Sequence, residues 1–167
     1  MKDHETPEAV EARASQEDPI VMYLIVHESL NMSTGKTAAQ CAHASQMLTL
    51  EYFELKERSK TLQKQLAPLL QPKPEGAEAD KLKAEYAKLA RPIAIFGEWM
   101  GSSFRKVVLR ASDKEWTKLK EEFKDTMVMV VDAGLTEIAA GSETVIGLWP
   151  TRKSQRSKTI QRLQVLK

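Results

Sequence analysis

The run "IVMYLIVH" at residues 20–27 constrains this chain more than any other stretch. It is nearly continuous in apolar residues and has the length of a strand. A strand of this kind suits a position covered on both faces, as in a parallel α/β sheet. From about Lys36 the pattern turns helical. Ala38, Cys41, Ala42, Ser45 and Leu48 recur at spacings of three and four. Their small size implies close approach of this helix to the sheet.

Further along, the helical signal continues past Leu55 to Leu62, Leu66 and Leu69. It is interrupted by "PLLQPKPEGAEAD", which is rich in breakers: Pro68, Pro72, Pro74 and Gly76. A second helical period at Leu82, Tyr86 and Leu89 ends before Pro92, so residues 51–92 read as a helical hairpin. "FRKVVLRA" (104–111) is a second strand. Ser112 to Glu115, "SDKE", has capping-box spacing ahead of a helix face formed by Trp116, Leu119 and Phe123. "TMVMVVDAG" (126–134) is a third strand, and "ETVIGLWP" (143–150) a fourth, stopped by Pro150. Residues 154–166 read as a short basic helix with Ile160, Leu163 and Leu166 facing inward. The order strand, helix, strand, helix, strand, strand predicts an α/β layered domain, and the short link between the last two strands predicts a mixed sheet.

A chain of 167 residues suits one domain with a real core. The formal net charge of +2 does not call for a nucleic-acid partner, but the charges are unevenly spread. Residues 1–19 are acidic, polar and without apolar period, and read as disordered. Residues 150–167 hold Arg152, Lys153, Arg156, Lys158, Arg162 and Lys167 with no acid. That end is either the footprint of a polyanion or a solvated tail. The one cysteine, Cys41, rules out a disulfide framework and points to a reducing compartment. No signal-peptide pattern is seen, and no apolar run approaches the roughly 20 residues of a membrane span. The expectation is a cytoplasmic protein with no membrane association.

Two stretches carry chemistry. "NMSTGKTAAQCAHAS" (31–45) contains Gly-Lys-Thr after a strand, which invites comparison with a phosphate loop. The nucleotide-binding pattern G-x-x-x-x-G-K-[ST] needs a glycine where Leu30 stands, so that reading fails at a position of steric need. What remains is a stripe. Lys36, Gln40 and His43 sit at i, i+4 and i+7 and share one helix face. A cation, an amide and an imidazole near a helix N-terminus suit an RNA phosphate or a polarised carbonyl oxygen. They equally suit a polar solvent face. Cys41 and His43 are too few and too close for a metal site. The second stretch is "DAGLTEIAAGSETVIG" (132–147), where Asp132 ends an apolar strand. Ligands of open α/β sheets bind at such strand ends. Gly134 and Gly141 permit turns, and Thr136, Ser142 and Thr144 add hydroxyls.

Taken together, "GKTAAQCAHAS" and "VVDAGLTEIAAGSETVIGLWP" resemble the peptidyl-tRNA hydrolase type 2 family, the archaeal and eukaryotic form. "EWMGSSFRKVVLRA" resembles that family's Trp-x-x-x-Gly-x-x-Lys-Val-Val-Leu-Lys segment, and the resemblance covers residues 21–50 and 98–167. It implies a three-layer α/β/α sandwich on a mixed four-stranded sheet, often a homodimer, with the 51–92 hairpin as an insertion. It implies hydrolysis of the ester of peptidyl-tRNA without metal or organic cofactor. Matched residue by residue, the catalytic set is Lys36, Asp132, Thr136 and Thr144, and Gln40 and His43 position the substrate end. Arg152 and Lys153 are candidates for phosphate contacts. In the reaction so implied, Asp132 orients or deprotonates water through Thr136, His43 is the rival base, and Lys36 stabilises the oxyanion. The family turn usually carries Gly and a second Lys where Ser33 and Thr34 stand, and its first strand usually ends in Arg-x-Asp-Leu, not "HESL" (27–30). The alternative is a tRNA- or protein-binding module of the same fold, reaching a partner through the hairpin.

Overall fold

The computed structural model of the chain describes residues 17–70, 76–102 and 104–167. Strand β1 (Ile20–His27) lies at the centre of the sheet. It runs parallel to β2 (Lys106–Ala111) and antiparallel to β4 (Glu143–Arg152), with Ile25 opposite Leu109 on one side and Ile146 on the other. Strand β3 (Met127–Val131) pairs with the far side of β4 and forms one edge; β5 (Gln164–Val165) pairs with β2 and forms the other. The sheet is mixed, as expected, but has five strands instead of four. The extra strand lies in the segment read as one basic helix. That segment is a 3-10 turn (Lys153–Gln155), a five-residue helix α4 (Lys158–Arg162) and then β5. Ile160 and Leu163 are buried as predicted, while Leu166 is only partly covered.

Side chains of β1 alternate between two cores. Ile20, Met22, Leu24 and Val26 pack with α1 (Thr34–Leu66) and α2 (Ala77–Gly101) through Ala44, Leu48, Tyr52, Phe96 and Trp99. Val21, Tyr23 and Ile25 pack on the other face with α3 (Asp113–Phe123) and α4 through Trp116, Leu119, Ile160 and Leu163. Each such burial is worth about 1.5–3 kcal/mol, so a one-residue slip of register would be costly on both faces. The result is the α/β/α sandwich. Close approach of α1 to the sheet depends on Gly147, where a Cβ would lie 2.8 Å from Val128, 3.1 Å from Leu48 and 3.3 Å from Ala44.

Proline marks fewer ends than the sequence predicts. β4 runs through Pro150 to Arg152, because its register with β1 shifts between Val21 and Tyr23 and the bulge relieves the missing N–H. Helix α2 runs through Pro92 to Gly101. An internal proline costs about 3 kcal/mol, and burial of Phe96 and Trp99 just beyond it offsets that cost. The hairpin is therefore not a unit bounded at 51 and 92. Its helices begin at the site and end in the core, with Tyr52 stacked on Phe96 at 4.5 Å and Phe96 edge-on to Trp149 at 5.0 Å. Farther out, Leu62, Leu66 and Ala79 are buried, and an Arg58–Glu85 ion pair and a 2.6 Å bond from Gln63 to the Tyr86 hydroxyl join the two helices. Of the segment read as disordered, residues 1–16 lie outside the described residues. Asp18 and Pro19 are held in place: the Asp18 carboxylate accepts from the N–H and hydroxyl of Ser154 at 2.7 Å each, and the Pro19 carbonyl accepts from Lys153 N–H.

Candidate active site

Helix α1 starts beside the C-terminal end of β1 and crosses the face of β4 and β3. Asp132 follows directly on β3, so its loop comes down onto the first turn of α1. The loop is closed at its base by Asp132 N–H to the Ser142 carbonyl (2.9 Å) and Gly141 N–H to the Asp132 carbonyl (2.8 Å). Gly134, at φ +75°, is required here: a Cβ would lie 2.5 Å from the backbone nitrogen of Ala140. Its N–H donates to Asp132 Oδ1 at 2.8 Å.

The other carboxylate oxygen, Oδ2, takes a hydrogen bond of 2.6 Å from Gln40 Nε2 and forms an ion pair with Lys36. Lys36 Nζ also donates to the Thr136 hydroxyl at 3.0 Å. Behind these groups, the Thr144 hydroxyl lies 3.1 Å from Gln40 Oε1 and 3.0 Å from the Val130 carbonyl, so its single proton serves both. The Asp132 side chain is 4% exposed and that of Lys36 is 13% exposed. The Lys36 ammonium, and after it the Gly134 N–H, hold the Asp132 carboxyl below its ordinary value of 3.8. Asp132 is therefore a firmly ionised, oriented acceptor.

Lys36, Gln40, Asp132, Thr136 and Thr144 thus meet in one cluster, though with different exposures. Thr144 is wholly buried and Gln40 nearly so. Gln40 still lines the cleft and donates to Asp132, and Thr144 stands behind Gln40. Asp132 and Thr136 are bridged by Lys36, which pairs with the one and donates to the other. His43 is exposed on the wall of the adjoining cleft and makes no hydrogen bond among the described residues. Arg152 and Lys153 are not in the cluster. They lie at the other end of β4 from Thr144, roughly 27 Å away at about 3.4 Å per residue, and Arg152 is paired with Glu98 at 2.8 Å. Cys41 is buried, and burial pushes its thiol up to about 11. It is an inert packing group.

A family model described as "Peptidyl-tRNA hydrolase PTH2" matches residues 20–166. The chain belongs to this family. A "Peptidyl-tRNA hydrolase" of Methanopyrus kandleri is 29% identical over 148 residues, which is 86% of this chain and 96% of the relative. A "Peptidyl-tRNA hydrolase 2, mitochondrial" of Bos taurus is 30% identical over 133 residues, 77% of this chain and 54% of that protein. A "Peptidyl-tRNA hydrolase 2" of Saccharomyces cerevisiae is 28% identical over 137 residues, 80% of this chain and 51% of that protein.

Within this peptidyl-tRNA hydrolase family member, two residues that depart from the family pattern, Ser33 and His27, have structural partners that sequence reading missed. Ser33 caps α1, accepting from Lys36 N–H at 3.2 Å. Its own N–H and hydroxyl both donate to Glu137, the N–H at 2.9 Å. These bonds hold the Glu137 carboxyl below its ordinary value. A serine three residues before Lys36 has N-cap spacing, so Ser33 was legible as a cap. Glu137, 104 residues away, had no local signal. His27 is also occupied. Its ring stacks on Trp116 at 4.3 Å, with Nε2 2.9 Å from Asp113 and Nδ1 3.2 Å from the Glu143 carbonyl. It joins β1 to the start of α3.

Proposed function

We propose that this protein hydrolyses the ester joining a peptide to the 3′ ribose of tRNA, using Asp132 and Lys36. One observation carries this reading: a fully ionised carboxylate and a lysine ammonium, locked together by Gln40, Thr136 and the Gly134 N–H, stand at the head of an open cleft. An ammonium has three protons. Asp132 and Thr136 take two, and the third is available to an ester carbonyl oxygen. In the addition step, water forms a C–O bond to the carbonyl carbon, and the carbonyl electrons move onto the oxygen facing Lys36. Expulsion of the ribose 3′-oxygen then breaks the ester, and the proton lost by water goes to that leaving oxygen. Asp132 sits too low to hold that proton for long, so it orients the water. Gln40 and Thr144 position Asp132, and His43 stands on the wall where the substrate end would lie.

Phosphate contacts make tRNA binding weaken with salt. Arg152 and Lys153 suit a part of the tRNA remote from the ester. We propose the cytoplasm as the compartment. Among the described residues no helix is long and apolar enough to cross a membrane, and the mitochondrial name of one relative makes imaging of a tagged chain the deciding measurement. Assembly as a homodimer and a protein partner for the hairpin are proposals for sedimentation and affinity capture. The activity itself is tested by release of peptide from N-acetylated aminoacyl-tRNA under single turnover. Wild type should release it, with Asp132→Asn and Lys36→Ala each slower by about 10²–10³. No release by wild type, or equal release by all three, overturns the proposal.

A further inference from the structure

The stripe of Lys36, Gln40 and His43 does not stop at His43. Two more steps of the same spacing bring Met47 and Leu50 onto it, and all of these residues line a single cleft of about 700 Å³. The stripe is polar at the Asp132 end and apolar beyond. The facing wall is β3, where Met129, Val130 and Val131 line the cleft in succession. Alternate side chains of a strand point to opposite faces. Three successive residues therefore meet one cleft only where it reaches the strand's edge. β3 is the terminal strand, and among the described residues nothing pairs with its outer edge.

We infer that this cleft binds the peptide half of the substrate, extended along the free edge of β3 with side chains over Met47 and Leu50. The inference rests on the hydrolase reading and deepens it. Charge selects peptide over RNA. Apart from Lys36, already paired with Asp132, the lining holds no lysine or arginine to neutralise phosphate. The wall is instead exposed and apolar, with Leu50 56% accessible, and covering it with side chains is favourable. The cleft is also continuous with the reacting site, so an ester held at Lys36 directs its acyl chain into it. The lengths agree: α1 rises about 21 Å from Lys36 to Leu50 at about 1.5 Å per residue, room for about six residues of extended peptide. A strand edge recognises main-chain N–H and C=O groups, which every peptide carries, so the site accepts any sequence.

The test pairs catalysis with binding. Hydrolysis is followed with N-acetyl esters of tRNA bearing one residue or four residues of alanine and leucine, including a four-residue peptide N-methylated at its internal amides. Binding is measured by calorimetry with non-hydrolysable 3′-amide analogues of the same peptides on adenosine. Four residues should exceed one by about tenfold in kcat/KM and in affinity, the factor expected from burying a leucine-sized group. N-methylation should remove about fivefold of that gain, and Leu50→Asp should bring the four-to-one ratio towards one. Equal values for one and four residues, or a ratio unchanged by both N-methylation and Leu50→Asp, overturn the inference while leaving hydrolysis intact. Length-dependent binding without any release would retain the peptide site and reject the hydrolase reading. If sedimentation shows a dimer that Leu50→Asp dissociates, a second copy occupies this face and the inference is overturned.

Discussion

Two ion pairs join the same helical layer to opposite ends of the sheet. Lys36 of α1 meets Asp132 beyond β3, and Glu98 of α2 meets Arg152 at the end of β4. Both bring a cation against a carboxylate, but their surroundings differ. The first pair is almost completely buried, and each partner has further hydrogen bonds that fix its orientation. In the second, the side chains are 35% and 49% exposed and the pair is solvated. A solvated pair contributes little to stability and leaves its charges free to exchange partners. A buried, networked pair holds an ionised carboxylate and an ammonium in one geometry, as polar chemistry on an ester requires. Formal charge alone does not separate the two; packing does.

The largest effect should come from removing charge at the buried end. Asp132→Asn or Lys36→Ala should lower single-turnover release by about 10²–10³, whereas Glu98→Gln at the other end should leave that rate unchanged. Equal losses at both ends would erase the contrast. Next comes the layer behind the pair. Thr144→Val preserves shape but leaves Gln40 Oε1 without its donor, and should cost about 1–3 kcal/mol in urea unfolding. It should also lower kcat more than it raises KM, because Asp132 loses its orientation.

Ser33→Ala removes the helix cap and the hydroxyl's bond to Glu137 while leaving the backbone N–H bond, and should cost about 0.5–2 kcal/mol by thermal unfolding. Acid offers a related test. Asp132 and Glu137 are both held below their ordinary values of 3.8 and 4.5. Their contribution is complete above those values and is lost as pH falls through the lower values of the folded state. The acid limb of kcat/KM should therefore lie below the 3.8 of an ordinary aspartate. A limb near neutral pH would show that a group other than Asp132 controls the reaction. The smallest change is expected at the solvated pair: Arg152→Ala should alter stability by less than about 1 kcal/mol and reduce the salt slope of tRNA binding by about one.

Much of the sheet was legible because its causes are local. The apolar run at 20–27, the capping box at Ser112 and the paired strands around the 132–142 loop all formed where the pattern indicated. Errors arose where distant packing overruled a local signal. Pro92 and Pro150 normally interrupt structure, but Phe96 and Trp99 hold one helix together and a bulge accommodates the other residue. β5 has only two residues and exists because β2 offers an edge for it.

The sequence by itself determined which groups exist and how they repeat along each element: the stripe from Lys36 to Leu50, an aspartate at a strand end, glycines in its loop. Only the tertiary structure decided what surrounds them. It placed Thr144 and Gln40 behind Asp132, gave Ser33 and Glu137 to each other, and set Arg152 at the far end of the sheet. The physical reason is range. Helix and strand periodicity follow from neighbouring residues, whereas burial and hydrogen-bond partners here join residues about a hundred positions apart, as in the 104-residue separation between Ser33 and Glu137.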